Sequence, residues 1–161
     1  MKRAVVVPLL LAIAGGSGGC GPAVDVTKDV HLEAVSTGWV SAGVVDGKNK
    51  LVPTVSFRVK NLSDQKLNIL QVNALFRRVA ENDEWGSGLL TVAGSDGLAA
   101  GATSEVLTIR SQLGYTGTES RAAMLKNSQF VDAKVSLFAK YGSAQWTPIA
   151  DVPIMRQFLP K

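Results

Sequence analysis

Few side chains in this sequence are suited to catalysis. His31 is the only histidine among the 161 residues and Cys20 is the only cysteine, so a Ser-His-Asp triad or a histidine metal site would have to use His31. His31 begins an apolar segment and belongs to no recognised motif, which favours a surface or edge histidine. The loop acids, among them Asp46, Asp83 and Asp96, follow no calcium-loop pattern. The sequence therefore predicts no catalytic residue, no metal site and no cofactor.

The single cysteine follows a segment with the three parts of a secretory signal. Lys2 and Arg3 come first, an apolar run covers residues 4–14, and small residues lead to Cys20. This arrangement resembles the signal of bacterial lipoproteins, in which the cysteine is lipidated and becomes the mature N-terminus. The two glycines before the cysteine fit that motif. Ser17 departs from it, because leucine usually occupies that position.

The resemblance implies a signal peptide over residues 1–19, a palmitate-type lipid on Cys20 and a flexible tether over residues 20–29. It also implies an anchor on the periplasmic face of the outer membrane, because Gly21 is not the aspartate of an inner-membrane retention signal. The apolar run of about eleven residues is too short for a permanent membrane span. The alternative is ordinary cleavage after Ala14, which would leave a soluble periplasmic protein with a free thiol.

Composition and charge exclude several classes of protein. The apolar fraction of 46% argues against disorder, and the length fits one domain. The formal net charge of +4 includes two basic residues of the signal; without them, 15 basic and 13 acidic side chains remain, or +2. A surface this close to neutral attracts no polyanion strongly, so we expect no nucleic-acid partner.

Alternating apolar residues predict a fold made of strands. The clearest segments cover residues 52–61 and 130–141, and a third covers residues 67–79, with a bulge near Ile69-Leu70. We expect the first and third of these to form a hairpin. A capping box at residues 116–119 predicts one short helix ending near Asn127. Residues 30–161 are therefore predicted to form an all-β sandwich of seven or eight strands, of immunoglobulin-like or fibronectin type, with a closed barrel as the alternative.

A second resemblance rests on the segment Phe57-Arg58-Val59-Lys60-Asn61-Leu62-Ser63, followed by Ile69, Val72 and Leu75-Phe76. It is similar to the strand–turn–strand core of the small bacterial immunoglobulin-like domains called FxLYD or LEA14-like. Arg77-Arg78 departs from that family, which usually has an aromatic residue and an acid there. The resemblance implies a sandwich with a binding or structural role in the envelope, and it supplies no catalytic residues.

Two groups of side chains are candidates for binding. Arg58 and Lys60 would lie on the wet face of the predicted hairpin, with Arg77 and Arg78 near the far end of the partner strand, as a basic patch for lipopolysaccharide, an anionic lipid or an acidic partner. The alternative is a solvated sheet face whose charges are balanced by Asp83 and Glu84.

Trp39, Trp85 and Trp146 form the second group, because exposed aromatic rings stack on sugars, although sandwich tryptophans are often part of the core. The sequence as a whole favours a non-enzymatic envelope lipoprotein that binds a protein partner or has a structural role. A carbohydrate-binding module and, less favoured, an envelope hydrolase are the alternatives.

Overall fold

Two antiparallel sheets packed face to face account for most of the chain in the computed structural model, which describes residues 22–160. The first sheet contains β1 (Val30–Val45), β2 (Lys48–Asn61), β5 (Leu107–Arg110) and β6 (Tyr115–Gly117). The second contains β3 (Leu70–Arg78), β4 (Glu84–Ala93), β7 (Ala133–Tyr141) and β8 (Thr147–Pro153). The predicted all-β sandwich is confirmed.

The chain passes from one sheet to the other after β2, β4 and β6. The first sheet has the order β1-β2-β5, with β6 also paired to β2, and the second has the order β4-β3-β7-β8. Such crossings are typical of the Greek-key connections in immunoglobulin-like sandwiches. The predicted hairpin of residues 52–61 with 67–79 was therefore wrong, because β2 and β3 lie in different sheets. Alternation shows that each strand has one apolar face, and β2 and β3 turn those faces toward each other across the core.

The core consists of the alternating positions that the sequence predicts. Val55, Phe57 and Val59 of β2 have no exposed surface, and the same holds for Val135 and Leu137 of β7. The irregularity predicted near Ile69-Leu70 is also confirmed. Ile69 has a φ of 54°, and the pairing of β3 with β4 shifts register directly after Leu70.

Residues 22–160 contain two short helices, where the sequence predicted one. α1 (Val26–Asp29) is capped by Asp25, whose side chain accepts a hydrogen bond from the Thr27 backbone N–H at 3.0 Å. Val26 is buried in the core, and Val24 packs against it. The predicted flexible tether of residues 20–29 was therefore wrong from Val24 onward, because these residues have a cap and a place in the core.

The second helix, α2 (Arg121–Lys126), lies where the sequence predicts it and ends at Asn127. Its cap differs from the prediction. The Ser120 hydroxyl accepts from the Ala123 N–H at 3.3 Å, whereas Thr116 belongs to β6. Thr116 was therefore the wrong capping residue, because pairing with β2 keeps that part of the chain extended.

The buried side chain of Asn61 organises the crossing from β2 to β3. Its amide nitrogen lies 2.8 Å from the carbonyl oxygen of Gln65, 2.9 Å from that of Leu98 and 3.1 Å from that of Ala99. Its amide oxygen accepts from the backbone N–H of Ser63 at 2.9 Å and from the Ser63 hydroxyl at 2.7 Å. One side chain thus joins the end of β2 to two loops.

Replacing this amide by a carboxylate tests how much the crossing depends on it. In Asn61→Asp an oxygen takes the place of the donating nitrogen and faces backbone carbonyls. We expect a loss of about 3 kcal/mol in the free energy of unfolding at pH 7, measured by urea denaturation, because buried acceptors and a buried charge are left without partners. The loss should shrink in acid, where the carboxyl regains a proton to donate.

The control for that measurement is Asn82→Asp, the same exchange at an exposed position. It should change the free energy of unfolding by no more than about 0.5 kcal/mol. An Asn61→Asp protein as stable as this control would show that the amide does not hold the crossing together.

Candidate functional site

The predicted basic patch does not exist as one surface. Arg58 and Lys60 lie on the outer face of the first sheet, since the alternating residues of β2 between them and beside them are buried. Arg77 lies on the outer face of the second sheet, and Arg78 lies at the end of the same strand. The prediction failed because it depended on a hairpin that the chain does not form.

Each of these four cations also has a partner within the described residues. Arg58 donates to the carbonyl oxygen of Ser104 at 3.1 Å, and the Lys60 ammonium lies 3.6 Å from the Glu33 carboxylate. Arg77 donates to the backbone carbonyl of Asn82 and to the Ser136 hydroxyl, and Arg78 forms an ion pair with Glu81. The acidic partners are therefore Glu33 and Glu81 and not the expected Asp83 and Glu84.

The three tryptophans do not share an exposed face. Trp39 is fully buried, and its ring centroid lies 6.1 Å from that of the half-buried Trp85. Trp146 is 38% exposed, with the Lys140 ammonium 5.5 Å from its ring. Trp85 lies at the Arg78 end of β3, whereas Trp146 lies at the Leu70 end, as the strand pairing requires. The pair of adjacent exposed rings that sugar stacking needs is therefore not formed.

Of the two remaining candidates, the structure describes His31 but not Cys20. His31 is exposed on β1 beside Lys60. Cys20 lies outside the described residues. Between residues 22 and 160, no group of three or more His, Cys, Asp or Glu side chains is arranged to hold a metal ion. In the same range, neither helix is long or apolar enough to cross a bilayer.

An aromatic cluster closes the end of the sandwich near α2, and no sequence motif predicted it. The Trp39 and Phe130 ring centroids are 4.6 Å apart in an edge-on arrangement, and Tyr115 lies 4.8 Å from Phe130. The Arg156 guanidinium covers the cluster, 5.4 Å from the Phe130 ring centroid. These contacts are typical of a structural core, with a favourable cation–π contribution at its edge.

Arg156 also forms a two-pronged ion pair with Asp132. The Nε–Oδ1 distance is 2.7 Å and the second guanidinium nitrogen lies 2.9 Å from Oδ2. These hydrogen bonds hold the pKa of Asp132 below its ordinary value and raise the pKa of Arg156. The pair joins the C-terminal segment to the loop before β7.

A concavity lies on the outside of the first sheet. It has a volume of about 670 Å³, and we call it the arginine groove. Its lining consists of seven residues: Val40, Ser41, Arg110, Arg121, Ala122, Phe158 and Leu159. The sequence did not predict this site, because its two arginines come from β5 and α2 and match no motif.

Comparisons with known proteins add little to this geometry. No family model and no curated protein sequence matches the chain. Among solved structures, it is similar to one described as the X-ray structure of Northeast Structural Genomics Consortium target SoR45. The two are 11% identical, with a TM-score of 0.44, over 81% of this chain and 89% of that one.

The Asp132–Arg156 pair predicts a pH dependence of stability. Because the pKa of Asp132 is lower in the folded than in the unfolded chain, the contribution of the pair is complete above about pH 4 and is lost as the pH falls through the folded pKa. We expect Asp132→Asn to lower the free energy of unfolding by up to about 1 kcal/mol at pH 7, since both side chains are partly solvated.

The measurement is urea denaturation at pH 7 and at pH 2.5, where the difference between wild type and variant should be smaller. Asp83→Asn is the control, because it removes the same charge from an exposed loop. A difference between wild type and Asp132→Asn that is as large at pH 2.5 as at pH 7 would contradict this role of the ion pair.

Proposed function

We propose that this chain is a bacterial cell-envelope lipoprotein, anchored through a lipid on Cys20 at the periplasmic face of the outer membrane. Its sandwich has a non-enzymatic role there, in binding an envelope protein partner or as a structural element. The signal-like order of Lys2 and Arg3, the apolar run and the single cysteine supports the anchor. The observation that carries the proposal further is the path of the chain just after Cys20.

The described chain begins against the sandwich. The backbone carbonyl of Pro22 accepts a hydrogen bond from the Gln65 side-chain amide at 2.7 Å. Four residues later α1 begins, and the Leu62 backbone N–H donates to the carbonyl oxygen of Asp29 at 2.7 Å. Because two residues span about 7 Å at most, a lipid on Cys20 would hold the loop between β2 and β3 close to the membrane surface.

The side chains at this end suit such a position. Leu62 and Ile69 are both more than half exposed, and Trp146 lies on the turn into β8 at the same end. Aromatic and apolar side chains next to a lipid anchor add to membrane affinity at the level of the headgroups. The opposite end, with the arginine groove and the aromatic cluster, would then face away from the membrane.

A strand of a partner protein could pair with one edge of the second sheet. β8 carries Pro148 and Pro153, which have no N–H to donate, so this edge is poorly suited to pairing. β4, at the other edge, contains no proline, but its Gly86–Gly88 part lies against Ile109 and Ser111, and the Ser87 N–H donates to the Gln112 side chain. The rest of the strand, from the exposed Leu89 to Ala93, is the part of this edge on which the strand order favours pairing with a partner.

The anchor is tested by substituting the cysteine. Cys20→Ser should abolish labelling with radioactive palmitate and move the protein from the detergent phase to the aqueous phase. Ser17→Leu, which restores the usual residue of the lipoprotein signal, is the matched control and should keep both properties. Labelling of the Cys20→Ser protein at the wild-type level would refute the anchor, and so would a wild-type protein that is soluble and unlabelled.

Whether the sandwich lies close to the membrane surface is tested by comparing how near two labelled sites are to the lipid headgroups. In the anchored protein, Leu62→Cys and Val79→Cys each introduce one reactive thiol for a fluorophore, at sites of similar exposure. Because the nine residues of β3 separate the two ends by about 30 Å, lipids with a headgroup quencher should strongly quench the label at position 62 and little affect that at position 79. Equal quenching would contradict the close position without bearing on lipidation itself.

A further inference from the structure

Two arginines from distant parts of the chain meet at the arginine groove. Arg110 is the last residue of β5 and pairs with Thr54 of β2, and its neighbour Ile109 is buried in the core. Arg110 therefore lies on the outer face of the first sheet. Arg121 is the first residue of α2, and both arginines line the same cavity.

These two arginines differ from the others in the described part of the chain. Arg58, Arg77, Arg78 and Arg156 each donate hydrogen bonds to oxygen atoms of described residues. No hydrogen bond or ion pair joins the side chain of Arg110 or Arg121 to a described residue. No carboxylate side chain lines the groove either. The two guanidinium groups that remain available for an anion thus border one cavity.

Apart from Ser41, the rest of the groove is lined by apolar residues. Val40 lies on the outer face of the first sheet, since the preceding residue, Trp39, is in the core. Val40 pairs with Val52, and both are less than a tenth exposed although their face of the sheet is turned outward. Phe158, by contrast, is 44% exposed beside them, and Leu159 follows it in the lining. The groove therefore joins an apolar wall to a cationic one.

The apolar wall is held in place by backbone hydrogen bonds. The C-terminal segment runs parallel to β1: the Trp39 N–H donates to the carbonyl oxygen of Gln157 at 2.8 Å, and the Leu159 N–H donates to that of Trp39 at 3.1 Å. Gly38 permits this approach, because a Cβ there would lie 2.7 Å from the Gln157 carbonyl oxygen. The wall needs no rearrangement to receive a ligand, which lowers the cost of binding.

From these contacts we infer that the arginine groove binds a single-chain anionic amphiphile. Its carboxylate or phosphate group is bound by Arg110 and Arg121, whose planar guanidinium groups match such anions. Its hydrocarbon chain lies along Val40, Phe158 and Leu159. A volume of about 670 Å³ is within the range of small-molecule sites, so the occupant is a small ligand and not a protein surface.

The test uses residues 20–161 with Cys20→Ser, a protein that retains every described residue of the core. Dodecanoate and dodecyl phosphate, below their micelle concentrations, are titrated by calorimetry. Both should bind, and a neutral dodecyl glucoside and inorganic phosphate should each bind at least tenfold more weakly. Arg110→Gln and Arg121→Gln should each reduce the affinity about tenfold, as expected for the loss of a charge-assisted hydrogen bond.

Arg58→Gln is the matched control. It removes the same charge from the outer face of the same sheet, but at an arginine that already has an oxygen partner, and its affinity should stay within twofold of wild type. Phe158→Ser should weaken dodecanoate binding and leave the weak binding of inorganic phosphate unchanged. Unaltered thermal unfolding confirms that these exposed substitutions keep the fold.

Three results would overturn the inference: anion binding unaffected by both groove arginines, dodecyl glucoside binding as tight as dodecanoate binding, or inorganic phosphate binding as tight as dodecyl phosphate binding. The first result would show that the two arginines do not bind the anion. The second would show that the ligand needs no charge, and the third that the apolar wall does not contribute to binding. Because the protein tested lacks Cys20, none of these results depends on the proposed lipid anchor.

Discussion

The buried amide of Asn61 is the interaction on which the arrangement of the two sheets depends. It ends β2, turns the chain toward the opposite sheet and contacts the loop that precedes β5. Gln65 connects this crossing to the start of the domain, since its carbonyl accepts from Asn61 and its side chain donates to Pro22. The crossing between the sheets and the position of the chain just after Cys20 are therefore properties of one hydrogen-bonded loop.

On the other side of the molecule, β4 and β5 lie unusually close together. Gly86 and Gly88 of β4 lie against Ser111 and Ile109, where a side chain on either glycine would collide with β5 or the residue after it. Glycines weaken a strand, and β4, which contains these two, lies at an edge of its sheet. Glycine is needed at these two positions because β4 and β5, at neighbouring edges of the two sheets, must come close enough to close the sandwich.

The fold could be predicted where one face of a strand is buried, and less well elsewhere. Alternation at Val55, Phe57 and Val59 identified β2, but it contains no information about which strand lies beside it. α1 was missed because four residues are too few for a helical period to be visible. The cap of α2 was misassigned because Thr116 and Ser120 are both suitable capping residues, and only pairing with β2 distinguishes them.

The same limit explains why the sequence analysis selected Arg58, Lys60, Arg77 and Arg78 as an anion-binding patch and did not select the arginines of the groove. The sequence shows where cations are close together along the chain, but not which of them already has a partner. An anion that binds Arg58 or Arg78 must compete with an existing hydrogen bond, so little is gained. At Arg110 and Arg121 it competes with water alone, and the neighbouring apolar wall adds the burial of a hydrocarbon chain. For anion binding, the number of cationic side chains therefore matters less than whether each of them already has a hydrogen-bond partner in the folded protein.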